Sequence, residues 1–174
     1  FPTRRSSDLW TKCRYLAADG KALIKISSGY AQIAREYNNL RKVTEERYFD
    51  VNGDPCLCTG NYACYRQTYN SRGDALVTSY FDTEDRLINN SSGYAIAERD
   101  YDDDGNRIFE RYLDENNEPI ILSGGYAEIR RVYDDDHHVI MESYYGKDGK
   151  PVALNKNQAG VAYEYDDDDN IICW

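Results

Sequence analysis

Residues 93–124 read GYAIAERDYDDDGNRIFERYLDENNEPIILSG, and this stretch decides the fold. Over 94–101 and again over 107–113, β-branched and aromatic residues alternate with polar ones, the period of a half-buried strand. Between them stand Asp102, Asp103, Asp104 and Gly105. Asp bonds nearby backbone and Gly permits positive φ, so the four make a tight turn. On the second strand Ile108, Glu110 and Tyr112 share one face, and Arg107, Phe109, Arg111 and Leu113 share the other. A second turn at 114–117 leads to Pro119, whose missing N–H suits a strand start or an edge. The short apolar run 120–122 reads either as a third strand or as extended loop, and the Gly-rich 123–125 carries the chain onward. The unit is thus about three strands and two tight turns, without helical periodicity.

The stretch recurs. Tyr37, Tyr69, Tyr101, Tyr133 and Tyr165 are each 32 residues apart. So are Tyr30, Tyr62, Tyr94 and Tyr126, with Gln158 in the fifth place, and so are Tyr48, Tyr80, Tyr112 and Tyr144. Tyr15 belongs to an earlier partial copy that holds one extra residue between Gly20 and Gly29. The copies run 10–28, 29–60, 61–92, 93–124, 125–156 and 157–174. Such a unit is too small to bury its own apolar face, whereas stacked copies share a continuous core. The expectation is an all-β chain: an elongated antiparallel sheet or β-solenoid built from tandem 32-residue β-hairpin repeats. The repeated Tyr should form ladders, each ring touching its counterpart. Arg35, Arg99 and Arg131, with Gln67 between them, should stack on the Tyr that precede the first turns. The residues matching Gly105 are Arg41, Gly73, His137 and Asp169, so the copies without Gly are expected to strain or to shift turn type. Gly53, Asp85 and Gly149 match Asn117 in the second turn.

The 174 residues carry 17 Tyr and a formal charge of −10. That charge argues against nucleic acid as a partner, since such affinity comes from Lys and Arg releasing phosphate counterions. It also disfavours anionic lipid. No run of about 18 apolar residues is present, so no membrane insertion is expected in this segment. Cys13, Cys56, Cys58, Cys64 and Cys173 do not recur with the period and read as small apolar core residues. Cys56, Cys58 and Cys64 lack a fourth metal ligand nearby, and a local disulfide among them stays open. His137 and His138 lie in a turn and read as exposed. No nucleophile–His motif, phosphate loop or HExxH pattern occurs, so no catalytic residue, cofactor or metal site is expected and the chain reads as no enzyme. Asp100, Asp102, Asp104 and Gly105 open like a calcium loop, but Arg111 stands at its twelfth position. Weak calcium binding by the Asp-rich turns, 134–136 and 166–169 among them, is the remaining metal expectation.

The first nine residues, FPTRRSSDL, resemble a translated sequencing adapter and are set aside as an artefact. Trp174 stops inside a segment that earlier copies continue. The array over 10–174 is therefore expected to be an internal piece of a longer protein, truncated at both ends.

The turn strings YDDDGN (101–106) and YFDVNG (48–53) resemble the Tyr-Asp repeats, or YD repeats, of rearrangement-hotspot and teneurin-like proteins. That resemblance implies a long β-sheet shell, secreted or surface-displayed, of the sort that in some members encloses a toxin. The YFDxxG string is also similar to aromatic cell-wall and glucan-binding repeats. With Trp only at positions 10 and 174, the Trp cage of the choline-binding members is not expected here. The functional expectation is a non-catalytic bacterial surface or secreted β-repeat module, extracellular or at the cell surface. It would bind a cell-wall or other glycan, or a protein partner, or serve as a display or spacer element. The candidate ligand-binding residues are Tyr30, Tyr62, Tyr94 and Tyr126, because neighbours on their strand face are largely polar and Tyr offers a flat ring with a hydroxyl. The alternatives are a structural shell or stalk of a large YD-repeat toxin or adhesin, and an appendage of a cell-envelope enzyme.

Overall fold

The computed structural model describes residues 11–154, 158–166 and 168–172. The readings placed on residues 1–9, Cys173 and Trp174 lie outside them. Among the described residues there is no helix. Ten strands stand in one antiparallel sheet in the order of the chain. They are β1 (Thr11–Arg14), β2 (Gln32–Tyr37), β3 (Val43–Phe49), β4 (Cys64–Tyr69), β5 (Ala75–Phe81), β6 (Ile96–Tyr101), β7 (Arg107–Leu113), β8 (Glu128–Tyr133), β9 (Val139–Tyr145) and β10 (Gly160–Ala162). β1 and β10 stand at the two ends of that order, so the sheet does not close on itself. A separate hairpin pairs β11 (Glu164–Tyr165) with β12 (Ile171–Ile172). Two compact units divide within β6, one of residues 1–96 with 114–117 and one of 97–113 with 118–174.

The hairpins form where the alternation places them, and β7 matches the expected 107–113. β6 begins at Ile96 rather than at Tyr94, because Tyr94 is occupied in closing the turn before it: its carbonyl accepts the N–H of Asn90. The third apolar run is not a strand. It is an arm held by one bridge per copy, Phe49 to Pro55 and Phe81 to Leu87 in the first unit, Leu113 to Pro119 and Tyr145 to Pro151 in the second. Each repeat therefore holds two strands and an extended arm, the loop alternative of the sequence reading.

The arm ends in a third tight turn, one more than the sequence suggested. All three turns of a copy are built alike. In the copy around β3, Arg41 N–H donates to Asn38 C=O, Gly53 N–H to Asp50 C=O, and Asn61 N–H to Cys58 C=O. Each of these donors is left-handed, with φ of 59° at Arg41, 93° at Gly53 and 64° at Asn61. The pattern is a tight hairpin turn followed by a residue with positive φ, where Gly costs least. The copies lacking Gly do not change turn type. His137 and Asp169 keep φ of 67° and 62° in the same bonding arrangement as Gly105. An Asx side chain at the turn start makes this affordable: Asn38 Oδ1 accepts the N–H of Leu40 and of Lys42, and Asp102 Oδ1 that of Asp104 and of Asn106. A bulge recurs just before the first turn, at Glu36/Tyr37, Thr68/Tyr69 and Val132/Tyr133.

The buried apolar set is small-bodied. Ala31, Ala63, Ala95 and Ala127 recur every 32 residues and are at most 3% exposed. Each joins the strands beside it: Ala63 N–H donates to Phe81 C=O and Ala63 C=O accepts the N–H of Tyr48. Of the larger apolar side chains, Ile33, Ile96, Ile129, Leu113 and Tyr48 are also buried.

Candidate functional site: the tyrosine ladder

Tyr30, Tyr62, Tyr94 and Tyr126 each follow the left-handed residue of the third turn, at Gly29, Asn61, Gly93 and Gly125. Their backbone is thus committed to closing that turn. Their half-buried rings are committed to Tyr neighbours. In the first unit the ring centroids run Tyr15–Tyr30 5.9 Å, Tyr30–Tyr48 4.6 Å, Tyr48–Tyr62 5.7 Å, Tyr62–Tyr80 4.7 Å and Tyr80–Tyr94 5.8 Å. In the second unit Tyr126 and Tyr144 lie 5.1 Å apart. The expected ladder is present, with one difference: rings touch not their counterparts one copy on but members of the alternate series. A repeat advances two strands, about 9.5 Å, while rings in contact are about 4.5–7 Å apart, so two interleaved series are needed to bridge the spacing.

A polar row runs on the same face. Arg35 pairs with Glu46 across β2 and β3, Arg99 Nε with Glu110 at 2.8 Å, and Arg131 Nε with Glu142 at 2.7 Å. In the one remaining copy Gln67 Nε2 donates to Thr78 Oγ1 at 3.1 Å. The guanidinium groups expected beside the Tyr before the first turns are held in these ion pairs, and Arg35 and Arg131 also interact with Tyr37 and Tyr133. The charge-assisted bonds to a carboxylate opposite fix where each guanidinium lies. Arginines over rings occur elsewhere: Arg66 at 4.3 Å from Phe81, and Arg130 at 4.3 Å from Tyr145.

The two rows are tied together. Tyr48 OH donates to Glu46 Oε1 at 2.6 Å, and Tyr144 OH to Glu142 Oε2 at 2.8 Å. Burial first, then the Glu46 carboxylate, pushes the Tyr48 phenol far above its ordinary range, and the same causes raise Tyr144. The Glu142 carboxyl is held below its ordinary value: burial opposes this, but bonds from Arg131 and Tyr144 outweigh it. The Tyr before the first turns reach back one copy, with Tyr69 OH donating to Val43 C=O at 2.7 Å, Tyr133 OH to Arg107 C=O at 3.2 Å and Tyr165 OH to Val139 C=O at 2.9 Å.

The opposite face of the first unit carries a charge cluster. Glu45 accepts from Arg47 and Arg66, and both guanidinium groups reach Asp85 Oδ1, at 2.9 and 2.8 Å. Cys64 lies buried near this cluster, and burial with Glu45 pushes its thiol up to about 12. Cys13, Cys56, Cys58 and Cys64 are free thiols, so the local disulfide is not formed. His137 is exposed as expected, whereas His138 is half-buried and stacks on Tyr165 at 4.5 Å.

In the Asp-rich turns the carboxylates serve the backbone. Asp102 takes three bonds from its own turn, from Asp104 N–H, Asn106 N–H and Asn106 Nδ2. Among the described residues no group of three or more His, Cys, Asp or Glu is arranged to hold a metal ion. None of their helices could cross a membrane, since there are none.

The sequence reading gave no role to Glu46, Thr78, Glu110 and Glu142, or to the buried Ala series. Both leave a mark in the sequence. The four polar residues are 32 apart and each follows its Arg or Gln by eleven positions, with Gln and Thr changing together. The comparisons with known proteins give no further lead: no family model matches the chain, and no curated protein matches it.

Proposed function

We propose that this chain is a non-catalytic β-repeat module of a secreted or surface protein, acting as a scaffold that spaces or displays other parts. The observation that carries this reading is that the side chains recurring every 32 residues are bound to one another. Tyr rings stack on Tyr rings, and Arg pairs with Glu, so the repeated chemistry is directed at holding copies in register. The resemblance of YDDDGN and YFDVNG to Tyr-Asp repeats supports the same role, as a stretch of β-shell or stalk.

A second reading keeps a ligand. Tyr30, Tyr62, Tyr94 and Tyr126 are only half-buried. Within the first unit Tyr30, Tyr62 and Tyr94 recur at a spacing of about 9.5 Å, two strand widths, which suits a linear glycan. One experiment separates the two. Tyr94→Ala should lower the melting temperature and leave a glycan array blank before and after. Array binding that is lost in Tyr94→Ala at a temperature where the variant is folded would favour the glycan module instead.

A further inference from the structure

The ladder of the first unit is an unbroken file of six phenols, Tyr15, Tyr30, Tyr48, Tyr62, Tyr80 and Tyr94, with no centroid step longer than 5.9 Å. Phenols are, with indoles and thiols, the side chains most easily stripped of one electron. Rings this close exchange an electron far faster than a tyrosyl radical decays. A phenol gives up its electron readily only if its proton has somewhere to go. Tyr48 has such an acceptor in Glu46 Oε1, 2.6 Å from its hydroxyl oxygen. We propose that this file is a relay for oxidising equivalents, passing a hole from the β1 end of the unit to Tyr94.

An external one-electron oxidant, of the metal-complex or organic-radical class, takes one electron from a Tyr of the file and is itself reduced by one. At Tyr48 the phenolic proton passes to Glu46, leaving a neutral tyrosyl radical. Tyr62 then transfers a hydrogen atom, one electron with one proton, to the Tyr48 oxygen, which restores Tyr48 as a phenol and moves the radical to Tyr62. The hydroxyls of Tyr48 and Tyr62 are near enough to affect each other's ionisation, and Tyr15 lies near enough to raise that of Tyr30. Glu46 later returns its proton to solvent. The net change is one oxidised Tyr, one reduced oxidant and one released proton. This activity is independent of the scaffold role at Tyr62 and Tyr80, where ring contact is kept by Phe but the relay is not.

That distinction supplies the test. Cys13 is exposed, and β1 pairs it with Ile33, which in turn pairs with Tyr48. A ruthenium photo-oxidant is attached there in the full chain with Cys56, Cys58 and Cys173 changed to Ser. After a flash in the presence of a nitroso spin trap, adducts at each Tyr are mapped by mass spectrometry. The relay gives adduct at Tyr94 that falls at least tenfold in Tyr62→Phe and again in Tyr80→Phe. Both variants retain the ring and are checked for folding by circular dichroism. Tyr37→Phe, off the file, leaves the yield unchanged. No adduct at Tyr94 in the parent, or a yield indifferent to both Tyr62→Phe and Tyr80→Phe, overturns the proposal. A ladder that is only structural would lose melting temperature on Tyr→Ala and show no dependence on the hydroxyl.

Discussion

The hairpins β2–β3 and β4–β5 put different chemistry into one geometry. In the first, Arg35 meets Glu46 and the left-handed turn residue is Arg41; in the second, Gln67 meets Thr78 and the turn residue is Gly73. The strand register and the bulge are the same in both, and the ring separations are 4.6 and 4.7 Å. A charged pair and a neutral pair are therefore interchangeable at this position, provided each buried polar atom finds a partner. What does not vary between the two is the Tyr on either side.

That contrast can be broken in four places. The largest effect belongs to the shared element: Tyr48→Ala, at a residue 6% exposed, should cost about 3–5 kcal/mol in chemical denaturation, as for other buried aromatics. The less buried Tyr80→Ala should cost less. Next comes base. The Tyr48 and Tyr65 phenols are raised mainly by burial. Their contribution is whole below the unfolded value of about 10 and is lost as pH rises above it. The phenolate absorbance of these two residues, read as the difference from Tyr48→Phe and Tyr65→Phe, should therefore appear together with unfolding rather than before it.

Third is the polar row. Glu46→Ala leaves a guanidinium and a buried phenol without their acceptor and should cost about 1–3 kcal/mol. Thr78→Ala should cost about 1 kcal/mol. The double change Arg35→Gln with Glu46→Thr, which copies the second hairpin into the first, should recover most of the Glu46→Ala loss. If it does not, the two pairs are not equivalent. The smallest effect is in the turns: Arg41→Gly should raise stability by about 0.5 kcal/mol, and Gly73→Ala should lower it by about 1 kcal/mol, both read from thermal melts.

The strands and the first two turns of each copy were legible in the sequence because alternation and turn chemistry are local signals. The arm was not, since Ile120, Ile121 and Leu122 form an apolar run whichever way they pair, and only the single bridge at Pro119 decides it. The third turn was missed because its left-handed place is held by Asn61 in one copy and preceded by Ser or Gly in others, so it read as loose loop. The ladder's existence followed from the 32-residue spacing, but its alternation did not. Which Tyr faces which depends on strand spacing in three dimensions rather than on sequence distance. Arg35 was placed on the correct face and beside Tyr37, but its partner Glu46 was not legible, because Glu46 comes within reach only when β2 and β3 pair.

The arm has a consequence for how such a chain can change over generations. An added residue within a strand would turn every later side chain of that strand to the opposite face. In the earliest copy the stretch from Gly20 to Gly29 is one residue longer than its counterpart from Gly53 to Asn61, and this extra residue falls in the arm. There it leaves β1 and β2 in register, with Cys13 still opposite Ile33 and Tyr15 still against Tyr30. The extra residue is thus absorbed in a segment that belongs to no strand, and the repeat can differ in length there without a change of register.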